Sequence, residues 1–331
     1  MKILVTGGTG YIGSHTCVEL INAGHEVVIV DNLYNSSIDV LDKIETITGV
    51  KPAFYKVDVL DRDNLENVFK ENSFDAVINF AGYKAVGESV SIPLTYYKNN
   101  VSGAINLYEL MKKYQVKNLV FSSSATVYGD DFEVPFKEEY GLGTTTNPYG
   151  TSKKFNEIII TDLCKAEEWM SAIILRYFNP IGAHKSGLIG ETPNGIPNNL
   201  LPYIAQVANG ERDYLRVWGD DYDTPDGTGV RDYIHVVDLA RAHVLAIEYA
   251  EKNKGVDVIN VGSGKGYSVM EVLHAYEKAC GHEIPYKIMD RRPGDIAVCY
   301  ADTKKAKELL DFETAYDIED MCEDSFRYYN K

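Results

Sequence analysis

A chain of 331 residues, 45% of them hydrophobic, is long enough to bury a large core in one domain or two lobes. Its 49 Asp and Glu against 33 Lys and Arg give a formal net charge of −16 at pH 7, which repels polyanions and excludes nucleic acid and an anionic membrane as expected partners. No apolar run approaches the roughly 18 residues of a membrane span, and Met1 leads directly into an apolar segment with no room for a removable leader, so a cytoplasmic location is expected.

The first predicted strand is Ile3-Leu4-Val5. It runs into Thr6-Gly-Gly-Thr-Gly-Tyr-Ile-Gly13, and an amphipathic stretch from Tyr11 to Ala23 follows and stops at Gly24. That order is strand, glycine turn, helix. Gly7 allows the tight turn, Gly10 lets backbone approach a pyrophosphate, and Gly13 permits close packing of helix on strand, so that phosphates lie on the helix N-terminus. A second strand, Val27 to Val30, ends at Asp31, about where an acid grips a ribose 2′-hydroxyl. A glycine turn without a ligand has no use for that acid. The carboxylate also repels a 2′-phosphate, and no Arg follows in Asn32-Leu33-Tyr34-Asn35, so the dinucleotide expected is NAD rather than NADP.

Further apolar runs, Ala53 to Val57, Ala76 to Phe80, Asn118 to Ser122 and Ser171 to Leu175, read as buried strands between helices. Such alternation predicts an α/β fold with a Rossmann-like, doubly wound parallel sheet. After Pro180 the texture changes to loops rich in Gly, Pro and Asn, including Gly187 to Gly190 and Gly195 to Asn199. We therefore expect a dinucleotide-binding domain over residues 1–180 and a smaller C-terminal α/β lobe over 181–331. Asp232 to His235 and Val258 to Val261 read as strands, and segments near 232–240 and 256–262 are expected to return to the first domain. The five cysteines form no CxxC and the seven histidines no HxxxH pair, so neither a disulfide framework nor a metal is expected.

Asn147 before Pro148 predicts a helix start, an N-cap followed by proline at the first helical position. Tyr149 and Lys153 then sit one turn apart on one face and can share a ligand. A phenol titrates near 10, so it serves as a base near neutrality only beside positive charge. One cation at about 6 Å in an effective dielectric near 20 contributes roughly 3 kcal/mol, or about two pKa units. Lys153 and an oxidised nicotinamide together could supply it. Ser124, in Ser122-Ser-Ser-Ala-Thr-Val-Tyr-Gly129, follows a predicted strand end and is a third candidate. Taken singly, a serine run is loop or capping chemistry and a Tyr/Lys pair is ordinary helix surface; the upstream dinucleotide motif argues for catalysis instead.

These motifs, with Phe80-Ala-Gly-Tyr-Lys-Ala-Val-Gly-Glu-Ser89, Leu175-Arg-Tyr-Phe-Asn-Pro180, Gly195-Ile-Pro-Asn-Asn199, Gly227-Thr-Gly-Val-Arg-Asp-Tyr-Ile-His235 and Arg291-Arg-Pro-Gly-Asp295, run essentially end to end. Through them the chain resembles the extended short-chain dehydrogenase/reductase family, and within it the UDP-glucose 4-epimerase group. The resemblance implies inversion at carbon 4 of UDP-glucose and UDP-galactose through a transient 4-keto sugar, with tightly bound NAD regenerated each turnover. It implies catalytic roles for Ser124, Tyr149 and Lys153. It implies that Gly7, Gly10, Tyr11, Ile12, Gly13, Asp31, Asn32, Asn35, Asp58, Val59, Phe80, Ala81, Lys84, Asn99, Ser122, Tyr149, Lys153 and Phe178 line the cofactor. For the UDP-sugar it implies Lys84, Ser124, Tyr149, Asn179, Asn199, Leu200, Arg231, Arg292, Asp295 and Cys299. Arginine suits a diphosphate because its planar donors match phosphate oxygens and its charge cannot be lost.

Related dehydratases place Asp-Glu after a Thr at the site of Ser124. Here Ala125 and Thr126 follow, so dehydration lacks its acid and base. A UDP-glucuronate 4-epimerase, or a related nucleotide-sugar enzyme, is the next reading; no extra arginine is placed for a sugar carboxylate. A non-catalytic sensor of NAD or a nucleotide sugar is the contrasting one, and it has no need of Ser124, Tyr149 and Lys153 together. Position 299 departs from the members restricted to glucose and galactose, which carry a tyrosine there. The smaller Cys299 predicts room for an acetamido group, and hence activity on UDP-N-acetylglucosamine and UDP-N-acetylgalactosamine. The resemblance also implies a homodimer formed by the helix of Tyr149 and its predecessor around Asn99 to Tyr114, although Ile158, Ile159 and Leu163 could equally face the sheet.

Overall fold

The computed structural model describes every residue except Asn194, Asn198, Pro293, Gly294 and Lys331. Strands β1 (Lys2–Thr6), β2 (Glu26–Asp31), β3 (Ala53–Lys56), β4 (Ala76–Asn79), β5 (Asn118–Ser124) and β6 (Ser171–Tyr177) appear where the apolar runs predict them. They are followed by β7 (Asn179–Ile181), β8 (Leu215–Trp218), β9 (Val230–His235), β10 (Gly255–Val261), β11 (Gly266–Ser268), β12 (Tyr286–Met289) and β13 (Val298–Cys299). The central sheet has seven parallel strands in the order β10-β6-β5-β4-β1-β2-β3. The order in which strands are added reverses between β1 and β4, which opens a crevice at the carboxyl ends of those two strands.

Successive side chains of a strand point to opposite faces, so a sheet covered by helices on both sides must be apolar at every position. Ile3, Val5, Val27, Ile29, Ile78, Val120 and Ile173 fill one buried layer. Leu4, Val28, Val30, Val77, Leu119, Phe121 and Ile174, alternating with them, fill the other. The helix Tyr11–Asn22 packs on the first layer beside the helix Val236–Lys252, and Leu107, Met111 and Ile160 of later helices close the second. Ile159 and Leu163 pack on that second layer, while Ile158 is exposed.

β10 pairs with β6 and completes the central sheet. β9 behaves differently from the strand expected to return there. It pairs with β7, β11 and β13 in a second, smaller sheet, and the helix that follows it, Val236–Lys252, is what reaches back to the first lobe. An apolar run identifies a strand but not the sheet that accepts it. A third apolar cluster, built on Leu201, Ile204, Val217, Tyr233, Leu273, Tyr276 and Met321, forms the core of this second part. β8 and β12 pair as a separate two-stranded ribbon. Among the described residues no helix is long and apolar enough to cross a membrane, and no group of His, Cys, Asp and Glu could hold a metal.

Two histidines are buried in the neutral form. His15 is 1% exposed and His243 is wholly buried. Nδ1 of His243 donates to the Leu239 carbonyl, which leaves Nε2 to accept from the Tyr177 hydroxyl. Burial pulls His15 down to about 3 and His243 to about 4. Both folded values lie below the unfolded value near 6.5, so the unfolded chain binds these protons first. The stabilisation is complete above about pH 6.5 and is lost as pH falls toward 4. Melting curves between pH 7.5 and 4.5 should show a steep fall in Tm below 6.5. His243→Gln, which keeps both bonds without a titrating ring, should flatten that slope by about one proton; an unchanged slope contradicts the assignment.

Candidate active site

The carboxyl ends of β1, β4 and β5 lie side by side, with Thr6 level with Asn79 and Asn79 level with Phe121. The residues that follow each strand therefore share one edge. Gly7 turns the chain out of β1 with φ of +72°, a conformation that side chains resist. A Cβ there would also meet the Ala81 nitrogen at 2.9 Å. A Cβ on Gly13 would lie 2.3 Å from the Gly7 carbonyl oxygen, so the third glycine packs the helix onto the turn itself. Around Gly10 only that same carbonyl comes near, at 3.2 Å, which leaves an open concavity at the helix N-terminus. Such a cradle suits a pyrophosphate, where helix N–H groups and dipole both favour an anion.

Asp31, at the end of β2, is 7% exposed and accepts from the N–H groups of Thr9 (3.1 Å) and Leu33 (2.9 Å) and from the Ser36 hydroxyl (3.3 Å). One carboxylate oxygen keeps a free lone pair for a sugar hydroxyl. Asn32 donates to Asp58 at 2.9 Å beside the buried Val59, whereas Asn35 is exposed. Phe80 packs against His243 with ring centroids 4.8 Å apart and the rings tilted by 50°, and Asn99 is buried and donates to Asn100. The concavity, the acid and the neutral amides fit a dinucleotide without a 2′-phosphate.

Across the crevice stands the helix Pro148–Ala166. Asn147 caps it by accepting from the Gly150 N–H at 2.8 Å, and proline occupies the first turn. Tyr149, Lys153 and Glu157 then follow at intervals of one turn on the face toward β5. The serine run at the end of β5 meets them in three different ways. The Ser122 carbonyl accepts from Lys153 Nζ at 2.6 Å. The Ser123 hydroxyl donates to the Glu157 carboxylate. The Ser124 hydroxyl stands close enough to the Tyr149 phenol to favour its ionised form.

Lys153 is 6% exposed, and its nitrogen lies 5.0 Å from the Phe121 ring centroid and 5.9 Å from that of Tyr149. Burial brings its ammonium down to about 8, with Glu157 opposing. Burial likewise pushes the Tyr149 phenol up, with Ser124 opposing. The bare chain thus holds Tyr149 protonated, and further positive charge must enter the crevice before the phenol can act as a base. Glu157 is itself neutralised by Arg176, whose Nη2 lies 2.7 Å away while Nη1 donates to the Gly141 carbonyl at 3.0 Å.

Two contacts tie the later part of the chain to the residues that follow β4 and β5, one through Glu191 and one through Cys299. Lys84, after β4, pairs with Glu191 at 2.7 Å, and Asn199 donates to the same carboxylate oxygen at 2.8 Å immediately before the helix that begins at Leu200. Cys299 on β13 is level with Arg231 on β9. Both Arg231 and Arg292 lie close enough to Tyr233 to oppose the burial that lifts its phenol to about 12. Arg231 Nη1 donates to the Val230 carbonyl at 2.9 Å, and Arg292 pairs with Asp295 at 2.9 Å. Asn179 is exposed at the start of β7, next to the buried Phe178. Cys299 packs against the cluster of Ala125, Tyr128, Phe136, Phe178 and Ala301, and burial lifts its thiol to about 12, so it stays neutral.

Sequence reasoning passed over three residues. Glu157 could have been found from its spacing, one turn beyond Lys153. Arg176 and Glu191 carry no local signal, because their partners are 19 and 107 residues distant.

A family model described as NAD dependent epimerase/dehydratase family matches residues 3–262. The UDP-glucose 4-epimerase of Bacillus subtilis (strain 168) is 58% identical over 328 residues, which is 99% of this chain and 96% of that protein. The Mus musculus UDP-glucose 4-epimerase is 53% identical over 333 residues, covering 99% and 96%. The crystal structure of the Bifidobacterium longum UDP-glucose 4-epimerase in complex with NAD+ and UDP superposes with a TM-score of 0.96 at 55% identity, covering 100% of this chain and 98% of that one. The chain belongs to the NAD dependent epimerase/dehydratase family.

Proposed function

We propose that this chain interconverts UDP-glucose and UDP-galactose by inverting carbon 4, with NAD as its cofactor. The observation that carries the reading is the meeting of Ser124, Tyr149 and Lys153 on the crevice edge that also holds the glycine cradle. The relatives that share the whole length of this chain are named for the same reaction. When bound, NAD accepts a hydride from carbon 4 and returns it to the other face of a 4-keto sugar.

The chain's own residues manage the proton and the geometry. Tyr149 takes the proton of the sugar 4-hydroxyl, and Ser124 holds that hydroxyl and the phenol in line. Lys153 spends one of its three donors on Ser122 and keeps two for the nicotinamide ribose, where its charge stabilises the phenolate. Gly7, Gly10, Tyr11, Ile12 and Gly13 cradle the dinucleotide phosphates; Asp31, Asn32, Asn35, Asp58 and Val59 hold the adenosine side. Phe80, Ala81, Lys84, Asn99, Ser122 and Phe178 enclose the rest. A lobe over residues 181–331, apart from the segments that return to the first lobe, carries Asn199, Leu200, Arg231, Arg292 and Asp295 to the UDP, and Asn179 joins them from just before it. Its arginines supply the local positive charge that a chain of net charge −16 otherwise lacks.

Cys299 sets the size of the sugar pocket. A thiol where a phenol would fill the space between Arg231 and the Phe136–Phe178 cluster leaves room for an acetamido group, so the N-acetylated pair is also turned over. The chain acts in the cytoplasm as a homodimer. Leu94 (81% exposed), Val90, Ile92, Ile105, Phe155 and Ile158 form an apolar surface on the helices around 86–113 and on the helix of Tyr149, a face suited to a second copy.

Purified protein given UDP-galactose without added NAD should form UDP-glucose, and Tyr149→Phe should lose at least a hundredfold in kcat; a silent parent even with NAD, or an unchanged variant, overturns the reading. Cys299→Tyr should remove turnover of the N-acetylated substrates while sparing the plain pair, and a parent inactive on them refutes the pocket argument. In sedimentation velocity the parent should run as a dimer and Leu94→Asp with Phe155→Glu as a monomer. A monomeric parent rules out that face as a self-interface.

A further inference from the structure

We propose that Glu191 is a positioning residue: its carboxylate turns the side chain of Asn199 away from its own helix and toward the nucleotide sugar, while Lys84 cancels its charge. The inference rests on the reading above that Asn199 serves the UDP and Lys84 the cofactor, and it names the group that sets both.

Asn199 occupies the N-cap position of the helix Leu200–Ala208, with extended backbone (φ −86°, ψ 149°). An asparagine there ordinarily folds its side chain back to accept from an N–H of the first turn. This one makes no such bond. Its Nδ2 donates instead to Oε1 of Glu191 at 2.8 Å, eight residues earlier in the chain. An amide held through its nitrogen points its carbonyl oxygen the other way, and Asn199 is exposed, so that oxygen is offered to a ligand rather than to the helix.

Glu191 is fixed in turn. It is 7% exposed and follows a hairpin in which Ala183 pairs with Gly190 and the His184 N–H donates to the Ile189 carbonyl at 3.1 Å. The last turn of the helix Ile318–Tyr329 clamps this hairpin. Tyr329 donates to the Glu191 carbonyl, the Tyr328 hydroxyl shares a hydrogen bond with Thr192, and Arg327 Nη1 donates to the Lys185 carbonyl at 3.2 Å. A Cβ on Gly190 would lie 2.5 Å from the Tyr328 ring, so a bare glycine lets the ring pack on the hairpin.

A buried carboxylate beside an anion site works against the anion unless its charge is met. Lys84 Nζ lies 2.7 Å from the same Oε1 and 5.9 Å from the Tyr11 ring centroid, at the start of the helix that follows the glycine cradle. One of its three donors goes to Glu191 and two stay available to the cofactor. The arrangement keeps an acceptor that orients Asn199 and offsets the repulsion that the acceptor brings.

The sign of the effect separates orientation from simple charge balance. If Glu191 did no more than pair with Lys84, removing it would free a cation and tighten the binding of UDP. Orientation predicts the reverse. By calorimetry on the NAD-loaded protein, Glu191→Ala should bind UDP roughly tenfold more weakly, and KM for UDP-galactose should rise by about the same factor while kcat falls less than about threefold. Glu191→Gln keeps a carbonyl acceptor without the charge and should bind UDP within about threefold of the parent. Adding Asn199→Ala to Glu191→Ala should cost little more, since both changes remove one interaction. Unchanged or tighter UDP binding by Glu191→Ala overturns the proposal, and so does full additivity with Asn199→Ala. Should Glu191→Ala not fold, Glu191→Asp withdraws the carboxylate by one methylene at constant charge; weaker UDP binding is expected, and binding equal to the parent's contradicts the proposal. Variants that match an active parent sink the role of Glu191 alone, whereas a parent that binds no UDP sinks the epimerase reading and this inference together.

Discussion

A buried ammonium ion, that of Lys153, is the constraint on which the site depends. Taking such a charge out of water is costly unless partners meet it, and here they are supplied by the Ser122 carbonyl, the ring of Phe121 and the carboxylate of Glu157 one turn away. Those partners belong to β5 and to the helix itself, so the charge can be held only when the helix is seated on the strand in one register. Seating the helix in that register brings Tyr149 to Ser124, and Arg176 from β6 then neutralises Glu157. The catalytic constellation and the packing of helix on sheet are therefore two descriptions of one arrangement.

The same economy governs the opposite wall. Three glycines at the end of β1 remove side chains at three different contacts: a left-handed turn against Ala81, an open concavity, and a helix resting on the turn. None of these contacts binds anything by itself. Together they leave the backbone N–H groups at the helix N-terminus open to an anion, where a bulky side chain would close them off.

Much of this was readable from short-range patterns. Burial on both faces makes each central strand a continuous apolar run, and the Asn-Pro cap by itself puts Tyr149 and Lys153 on one face of their helix. Patterns could not assign β9 to its sheet, because Asp232 to His235 has the texture of a buried strand in either lobe and only the pairing with β7, β11 and β13 decides. Nor could they foresee Glu191, which joins Lys84 to Asn199 across more than a hundred residues of chain, or Arg176, whose position on β6 looks like any other interior site until Glu157 is placed opposite. Register between distant elements is a property of the whole fold, and local spacing carries no record of it.

The central sheet ends in β10, which pairs with β6 only after the chain has passed through β7, β8 and β9 and the helix Val236–Lys252. On the ribosome, β6 therefore emerges with a bare hydrogen-bonding edge and keeps it until Gly255 to Val261 has been made. An unpaired, apolar strand edge is a template for association with other chains. The central sheet cannot be completed before Gly255–Val261 has been synthesised, and throughout that interval the open edge of β6 exposes the nascent protein to aggregation.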